Sequence, residues 1–347
     1  DDGRRPTHVH VERDPRQDVL RRDFTINALL EDIVTGEVID YVGGRADLAA
    51  GVVRAIGDPT LRFREDHLRL LRAIRFAARF GFHVEAGTFA AMRKAAPSIS
   101  TIAAERVREE LTRILTEGGA SQGLKLLSDS ELLVHVLPEV QAFQGVAQPV
   151  EYHPEGDVWT HVLLMLKNMV RLSATLAWGV LLHDVGKPAT FRVADRIRFD
   201  GHVEVGVIMA RNLLMRMKFS QQDMDQILAL IANHMRFKDA FAMRESTLKR
   251  FLRLPGFEEH LELHRLDCLA SHGKLDSYEF VKRKLSELTP EQLRPARLLT
   301  GNDLIAAGFR PGPGFSKALE AVETAQLEGT VATTEQALEL AVDVLSR

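Results

Sequence analysis

Residues 62–82 read RFREDHLRLLRAIRFAARFGF. Leu70, Leu71, Ile74, Ala77 and Ala78 recur at helical spacing on one side, and the spacing predicts one amphipathic helix. Glu65, Arg69, Arg72, Arg75 and Arg79 fall on the other side, with Asp66 at its edge. A solvated helix face normally mixes acids and bases, yet this stretch has six arginines in eighteen residues against one Glu-Asp pair. Guanidinium groups in a row suit anions, because each takes phosphate in a bidentate fork. Asp66 adds an acceptor beside Arg69, one turn further on. Cytosine and adenine both present an exocyclic amine next to a ring-nitrogen acceptor, whereas uracil and guanine carry a keto oxygen in the amine's place. An Asp66–Arg69 pair could therefore accept C and A and reject U and G. The mundane alternative is an ordinary intrahelical ion pair.

At 347 residues the chain has room for two to four domains. Its 45% hydrophobic and 27% charged residues suit an ordinary globular protein. A net charge of −3 excludes a globally basic nucleic-acid binder, so any RNA or phosphate site must be a local patch. The one cysteine, Cys268, cannot form an intramolecular disulfide, and a reducing cytoplasm is the expected location. The longest apolar run, ATLAWGVLL at 174–182, is too short to span a bilayer, so no membrane partner is expected. The start, DDGRRPTHVH, has no initiator Met, apolar h-region or transit-peptide character, and reads as the middle of a longer protein.

Strand signals are confined to the first part: THVHVE at 7–12, two short strands around the Thr-Gly turn of DIVTGEVIDYV (32–42), and GVVRAI at 51–56. Between them RRDFTINALL (21–30) predicts a short helix capped by Asp23. From Asp58 onward the period is helical. FQGVAQPVEYHPEGD (143–157) and TPEQLRP (289–295) mark boundaries. The expected fold is mainly α with a small α+β N-terminal remnant, divided at 1–57, 58–142, 150–287 and 288–347.

Four segments occur in order: RRDFTINAL (21–29), DYVGGRADL (40–48), EDHLRLLRAIRF (65–76) and AAERVREEL (103–111). Together they closely resemble the class II tRNA nucleotidyltransferase (CCA-adding) and bacterial poly(A) polymerase family, over essentially the whole chain. The resemblance implies a nucleotidyltransferase head fragment, a helical neck, an HD-type helical domain and a helical tail. It implies that Arg21, Arg22, Asp23 and Asn27 hold the triphosphate and ribose, and that Asp66 and Arg69 read CTP and ATP. Arg72 and Arg75 would meet phosphate or RNA. Asp40, Gly43 and Gly44 match a flexible motif between head and neck, and Glu105, Arg106 and Glu109 an element that props the reading helix. Taken singly, each would be a cap, a turn or a solvated face. The family's catalytic carboxylates form an Asp-x-Asp or Asp-x-Glu after a Gly-Gly turn and bind Mg²⁺. Here Glu12 and Asp14 offer only VERD, with no Gly-Gly before it and Pro15 after it, and are rejected. The chain thus reads as a fragment without its catalytic strands.

A second constellation comprises TH (160–161), LLHDVGKP (181–188) and HRLDCLASHG (264–273). His161, His183, Asp184 and Asp267 resemble the four ligands of the HD superfamily, which implies a bound divalent cation; two imidazoles and two carboxylates leave positions open for water and phosphate. Gly186 and Pro188 are expected to stop the helix just after the ligands, and Lys187 could reach a phosphate. His202 and His234 lie where some relatives add a second metal. His8, His10, His83, His153, His260 and His272 are read as structural. The end of the chain resembles the family's tail that rests against tRNA, and PGPGFSK (311–317) opens a helix where Lys317 could take a backbone phosphate. The function implied is addition of C, A or both to tRNA 3′ ends from CTP and ATP, with tRNA as partner and no DNA. Two other readings stay open: an HD-type metal-dependent phosphohydrolase acting on phosphoesters or nucleotides, and an RNA-binding adaptor without turnover.

Overall fold

The single helix expected over 62–82 is broken at Asp66, which leaves helical geometry at φ −152° and accepts the Leu68 N–H on its own carboxylate at 3.0 Å. That local bond offers the backbone an alternative to the helix. The computed structural model describes residues 14–170 and 173–346; the strand expected at 7–12 lies outside them.

The first described element is α1 (Pro15–Arg21), capped by Asp14 through the Arg16 N–H at 2.9 Å. The short helix expected next is only a 3₁₀ turn, Thr25–Asn27, and Asp23 is not its cap: Oδ1 accepts from the Phe24 N–H and from Asn27 Nδ2. β1 (Leu30–Glu31) and β2 (Val38–Ile39) form an antiparallel hairpin around the predicted turn. After α2 (Gly44–Ala50), β3 (Val52–Val53) pairs in parallel with β4 (His83–Val84), a strand the sequence reading did not anticipate.

Between β3 and β4 run α3 (Pro59–Glu65) and α4 (Arg69–Phe80). The helices continue through α5 (Ala86–Ala95), α6 (Ala104–Thr116), α7 (Ala120–Asp129), α8 (Leu133–Val136) and α9 (Pro138–Gln141). Leu70, Leu71, Ile74 and Ala77 of α4 are fully buried, and α4 packs on α6 and α7. Each buried Leu or Ile stabilises by roughly 1.5–3 kcal/mol. Gly119, just before α7, sits at φ +69°, and a Cβ there would lie 2.0 Å from the Ala78 carbonyl oxygen. Only glycine allows that approach of α7 to the end of α4.

α10 (Val158–Asn168), α11 (Ala174–Leu182), α12 (Lys187–Thr190), the hairpin β5 (Arg192–Val193) and β6 (Ile197–Arg198), α13 (His202–Arg216) and α14 (Gln221–Asn233) follow. α11 is apolar on every side and accordingly buried, with Trp178 among its core residues. After a 3₁₀ segment (His234–Ala242) come α15 (Glu245–Leu252), α16 (Phe257–Ala270), α17 (Asp276–Glu287), α18 (Pro290–Leu293), α19 (Gly301–Ala306), α20 (Pro313–Leu327) and α21 (Thr334–Ser346). Two compact units result, one running to Ala232 and including Leu266–Lys274, the other comprising Asn233–Arg265 and the chain from Leu275 onward. The second unit is built on a Phe237–Phe251–Phe257 cluster and on an apolar set including Leu304, Val322 and Ala341, with Lys249 Nζ donating to the Leu327 carbonyl at 2.7 Å. Among the described residues no helix is long and apolar enough to cross a membrane.

Candidate nucleotide cleft and candidate metal centre

At the break at Asp66 lies a cleft of about 510 Å³ between the first turns of the chain and α4. Arg21, Arg22, Asp23, Asn27, Asp66, Arg69 and Arg72 all line it, joined by Arg106, Leu68 and Phe76. Five arginines against two aspartates make it a local cationic site on an acidic chain, suited to a polyanion. Asp66 and Arg69 are not paired with each other. Asp66 Oδ2 accepts from Arg106 Nη2 at 3.1 Å, and Arg69 Nη1 donates to Glu65 Oε2 at 2.6 Å and to the Arg62 carbonyl at 2.9 Å. Arg72 Nε donates to Asp23 Oδ2 at 2.7 Å, so Asp23 ties the turn that follows α1 to α4. Arg22 is held by Asp18 and donates to the Asn27 carbonyl at 2.9 Å.

Two expectations need correction here. Arg75, placed by the helical wheel on the phosphate-facing side, is 5% exposed and donates to Glu110 at 2.8 Å and Glu117 at 3.2 Å. Its guanidinium also lies 4.3 Å from the centre of the Phe76 ring. α6 reaches Asp66, ahead of α4, through Arg106, and reaches α4 itself through the buried Glu110, which accepts from Arg75, while Glu109 is exposed. Glu110 lies one turn beyond Arg106, on the same buried side of α6 as Val107, Leu111 and Ile114; that spacing was the signal for it. Phe76, four residues after Arg72 and not among the residues singled out in the sequence, is also part of the cleft wall.

Asp40 accepts four backbone N–H groups, from Val42, Gly43, Gly44 and Arg45, at 2.9–3.1 Å. The Arg45 N–H leads in holding its carboxyl below the usual range. Gly43 takes φ +82°, and a Cβ on Gly44 would stand 2.2 Å from the Thr25 carbonyl oxygen. The glycine pair thus lets the start of α2 sit against the backbone of the 3₁₀ turn, beside the residues that line the cleft.

The His-Asp cluster lies in the same unit. α11 ends at Leu182, before rather than after His183–Asp184, and Pro188 falls in the first turn of α12. Gly186 acts by close approach: a Cβ there would stand 2.1 Å from the His202 carbonyl oxygen, so the His-Asp turn rests directly on α13. Donor atoms of His161, His183 and Asp184 lie within 4.8 Å of one another, all buried. Asp267 Oδ1, on α16, is 3.2 Å from His161 Nε2. Each imidazole turns Nδ1 toward an outer acceptor: His161 to Glu155 Oε1 at 2.7 Å, His183 to the Val180 carbonyl at 2.9 Å, and His202 to the Phe199 carbonyl at 2.9 Å. Acceptors at Nδ1 place the ring proton there and direct the Nε2 lone pair inward. Those inward nitrogens meet carboxylates, His183 Nε2 at 3.0 Å and His202 Nε2 at 3.7 Å from Asp184. Lone pairs facing carboxylates fit a cation between them. The same carboxylates favour a proton on the ring: burial opposes charging His161, but Asp267 and Glu155 outweigh it and raise the imidazole to about 9.

Lys187 is buried, with Nζ 2.7 Å from Asp184 Oδ2 and 2.6 Å from Gln148 Oε1, rather than presented to solvent. His153, read as structural, touches Glu155 at 2.9 Å. His234 opens the 3₁₀ segment of the second unit and is buried there. Lys317 is exposed on α20. Asp14 is the cap of α1, and Glu12 lies outside the described residues.

Residues 1–54 match the poly A polymerase head domain, 81–144 the probable RNA and SrmB-binding site of polymerase A, and 158–267 the HD domain. The multifunctional CCA protein of Halorhodospira halophila is 40% identical over 314 residues, covering 87% of this chain and 74% of that protein. The chain belongs to the CCA-adding tRNA nucleotidyltransferase family. A CC-adding tRNA nucleotidyltransferase of Thermus thermophilus is 34% identical over 339 residues, 92% of this chain and 75% of the relative. For the multifunctional CCA protein of Pseudomonas paraeruginosa the identity is 37% over 272 residues, 74% of this chain. Against that relative and the one from Laribacter hongkongensis the chain spans 65% and 58% of their length. The crystal structure of the Bacillus stearothermophilus CCA-adding enzyme with CTP superposes with a TM-score of 0.71 at 23% identity, over 97% of this chain and 76% of that one, so the fold is that of CCA-adding enzymes. Nucleotidyltransferase head and HD domains are metal-dependent.

Proposed function

We propose that this protein adds C, A or both to the 3′ end of tRNA, drawing on CTP and ATP and choosing the base with its own side chains. The observation that carries this reading is the cleft, where an acceptor, Asp66, and a donor, Arg69, stand among phosphate-binding arginines. Arg21, Arg22 and Asn27 take the triphosphate and ribose, with Asp23 anchoring Arg72 beside them. Asp66 accepts from the exocyclic amine while Arg69 donates to the ring nitrogen next to it. Arg72 meets phosphate or RNA, and Asp40, Gly43 and Gly44 hold the head turn against α2. Lys317 faces the tRNA backbone. Mg²⁺ is the ion assigned to nucleotidyl transfer, where it would neutralise phosphate charge; Asp14, a helix cap, is not one of its ligands. In the test, full-length protein is incubated with Mg²⁺, each of the four NTPs and tRNA ending at the discriminator base. Extension by C and A alone is the expected result, and extension by none of the four overturns it.

A second activity is favoured by the buried donor set. His161, His183, Asp184 and Asp267 hold one divalent cation, which when bound would supply Lewis-acid activation of a phosphoester. His202 adds an imidazole on the Asp184 side. Release of phosphate from a nucleoside phosphate, lost in Asp184→Ala, checks this.

A further inference from the structure

The irregular stretch 143–157 reads in sequence as a connection between domains, yet it is fastened at both ends. The Val158 N–H donates to the Val146 carbonyl at 3.0 Å, Ala147 bridges Asp157, and the Asp157 carboxylate accepts from the Gly145 N–H at 2.9 Å. A segment closed in this way has a fixed shape, and it carries two buried polar side chains to the His-Asp cluster. One is Gln148, which binds Lys187 behind Asp184. The other is Glu155.

Glu155 has only 6% of its side chain exposed, and its Oε1 is 2.7 Å from His161 Nδ1 and 2.9 Å from His153 Nδ1. The two rings meet edge to face, 5.1 Å between centres. One carboxylate oxygen therefore serves two imidazoles that cannot rotate independently. His161 is wholly buried, so with its Nδ1 proton fixed on Glu155 its Nε2 has one direction left, toward Asp267. We propose that Glu155 is a positioning residue for the cation site, fixing the tautomer and ring orientation of His161 from outside the ligand set, with His153 as the brace that holds Glu155 in place. The inference rests on the reading of His161, His183, Asp184 and Asp267 as ligands. Hydrogen-bond partners of ligating imidazoles raise ligand basicity and fix geometry, and their loss costs roughly 10–100-fold in metal affinity.

The probe is Co²⁺, titrated into chelator-stripped full-length protein and followed by its visible absorption bands. If the wild-type protein takes up no Co²⁺, the ligand assignment itself fails. If it does, Glu155→Ala is expected to bind about 10–100-fold more weakly with altered bands, and Glu155→Gln, which keeps an acceptor oxygen without the charge, to lie between the two. A role confined to packing would lower the melting temperature of the metal-free variants and leave Co²⁺ affinity and spectrum alone. Wild-type affinity within twofold in either folded variant overturns the proposal. Should Glu155→Ala fail to fold, Glu155→Gln decides it alone.

Discussion

Arg106 holds Asp66 across the cleft at 3.1 Å, while Arg69 is held by Glu65 at 2.6 Å. The intrahelical Asp66–Arg69 pair, the mundane reading of that motif, is therefore not formed. Both side chains are instead aimed by neighbours: a carboxylate oxygen that takes one bond from Arg106 has a second lone pair for a base amine. Two hydrogen bonds to one base edge are worth about 1–3 kcal/mol, or roughly tenfold to a hundredfold in discrimination. Asp66→Ala should erase most of the preference for CTP and ATP over UTP and GTP, and Arg106→Ala should reduce it by loosening Asp66. Competitive binding of the four nucleotides to the full-length variants reads this out. A preference unchanged in Asp66→Ala would mean that the cleft binds phosphate without reading a base.

Arg72 and Arg75 sit one turn apart on α4 and should behave oppositely. Arg72 is 32% exposed in the cleft wall, so Arg72→Ala should weaken all four nucleotides alike and lower the salt slope of RNA binding by about one. Arg75→Ala removes the nearest partner of the buried Glu110 and leaves it Arg113 Nη1 at 3.7 Å and Arg72 Nη1 at 4.0 Å, so the melting temperature should fall, by less than the roughly 3–5 kcal/mol of a fully unpaired buried charge would bring. Nucleotide preference in the folded Arg75→Ala protein should be unchanged. Arg72→Ala also frees the buried Asp23, so both variants should melt lower, and the division fails if the salt slope is unchanged in Arg72→Ala or lowered in Arg75→Ala.

What the sequence disclosed and what it hid divide along physical lines. Periodicity located the helices and the buried face of α4, because burial of Leu70, Leu71 and Ile74 repeats at the helical turn. The break at Asp66 escaped, since a side-chain bond to the backbone two residues on leaves no mark in the hydrophobic pattern. Arg75 was misplaced for a related reason: a polar residue name says nothing about whether a carboxylate waits inside, as Glu110 does. The candidate ligands His161, His183, Asp184 and Asp267 could be named from short motifs. Glu155 could not, because its contact with His161 depends on how an irregular loop closes upon itself. The parallel pairing of β3 with β4 joins residues about thirty positions apart through two-residue strands, too short for alternation to register.

Removing metal should destabilise the unit that holds the His-Asp cluster. A cation bound only by the folded chain adds about 2.7 kcal/mol at a hundred times its dissociation constant. Chelation should therefore lower the wild-type melting temperature and leave Asp184→Ala, lacking a carboxylate shared by the site, insensitive. Because the cation competes with a proton on His161 that is held until about pH 9, apparent affinity should rise from pH 7 toward 9, by up to about tenfold per unit. A melting temperature indifferent to chelator in the wild type would leave the cluster a purely structural network.

The second unit carries an acid-sensitive group of its own. His260 on α16 is 1% exposed, and burial pushes its imidazole down to about 4, Arg236 adding to the shift and Glu259 opposing it. In the unfolded chain the same group protonates near 6.5. With the folded value lowered, the unfolded state binds the extra proton between those limits. Stability from this residue is thus complete above about 6.5 and falls as the pH drops toward 4, by up to about 1.4 kcal/mol per unit. His260→Phe keeps a ring beside Phe257, 6.2 Å away, and removes the titration. Urea unfolding followed from pH 7 to 5 should show the wild type losing about 2 kcal/mol more than His260→Phe, with the two curves parallel above pH 7. Parallel curves over the whole range would mean that His260 is solvated enough in the folded chain to take up its proton there.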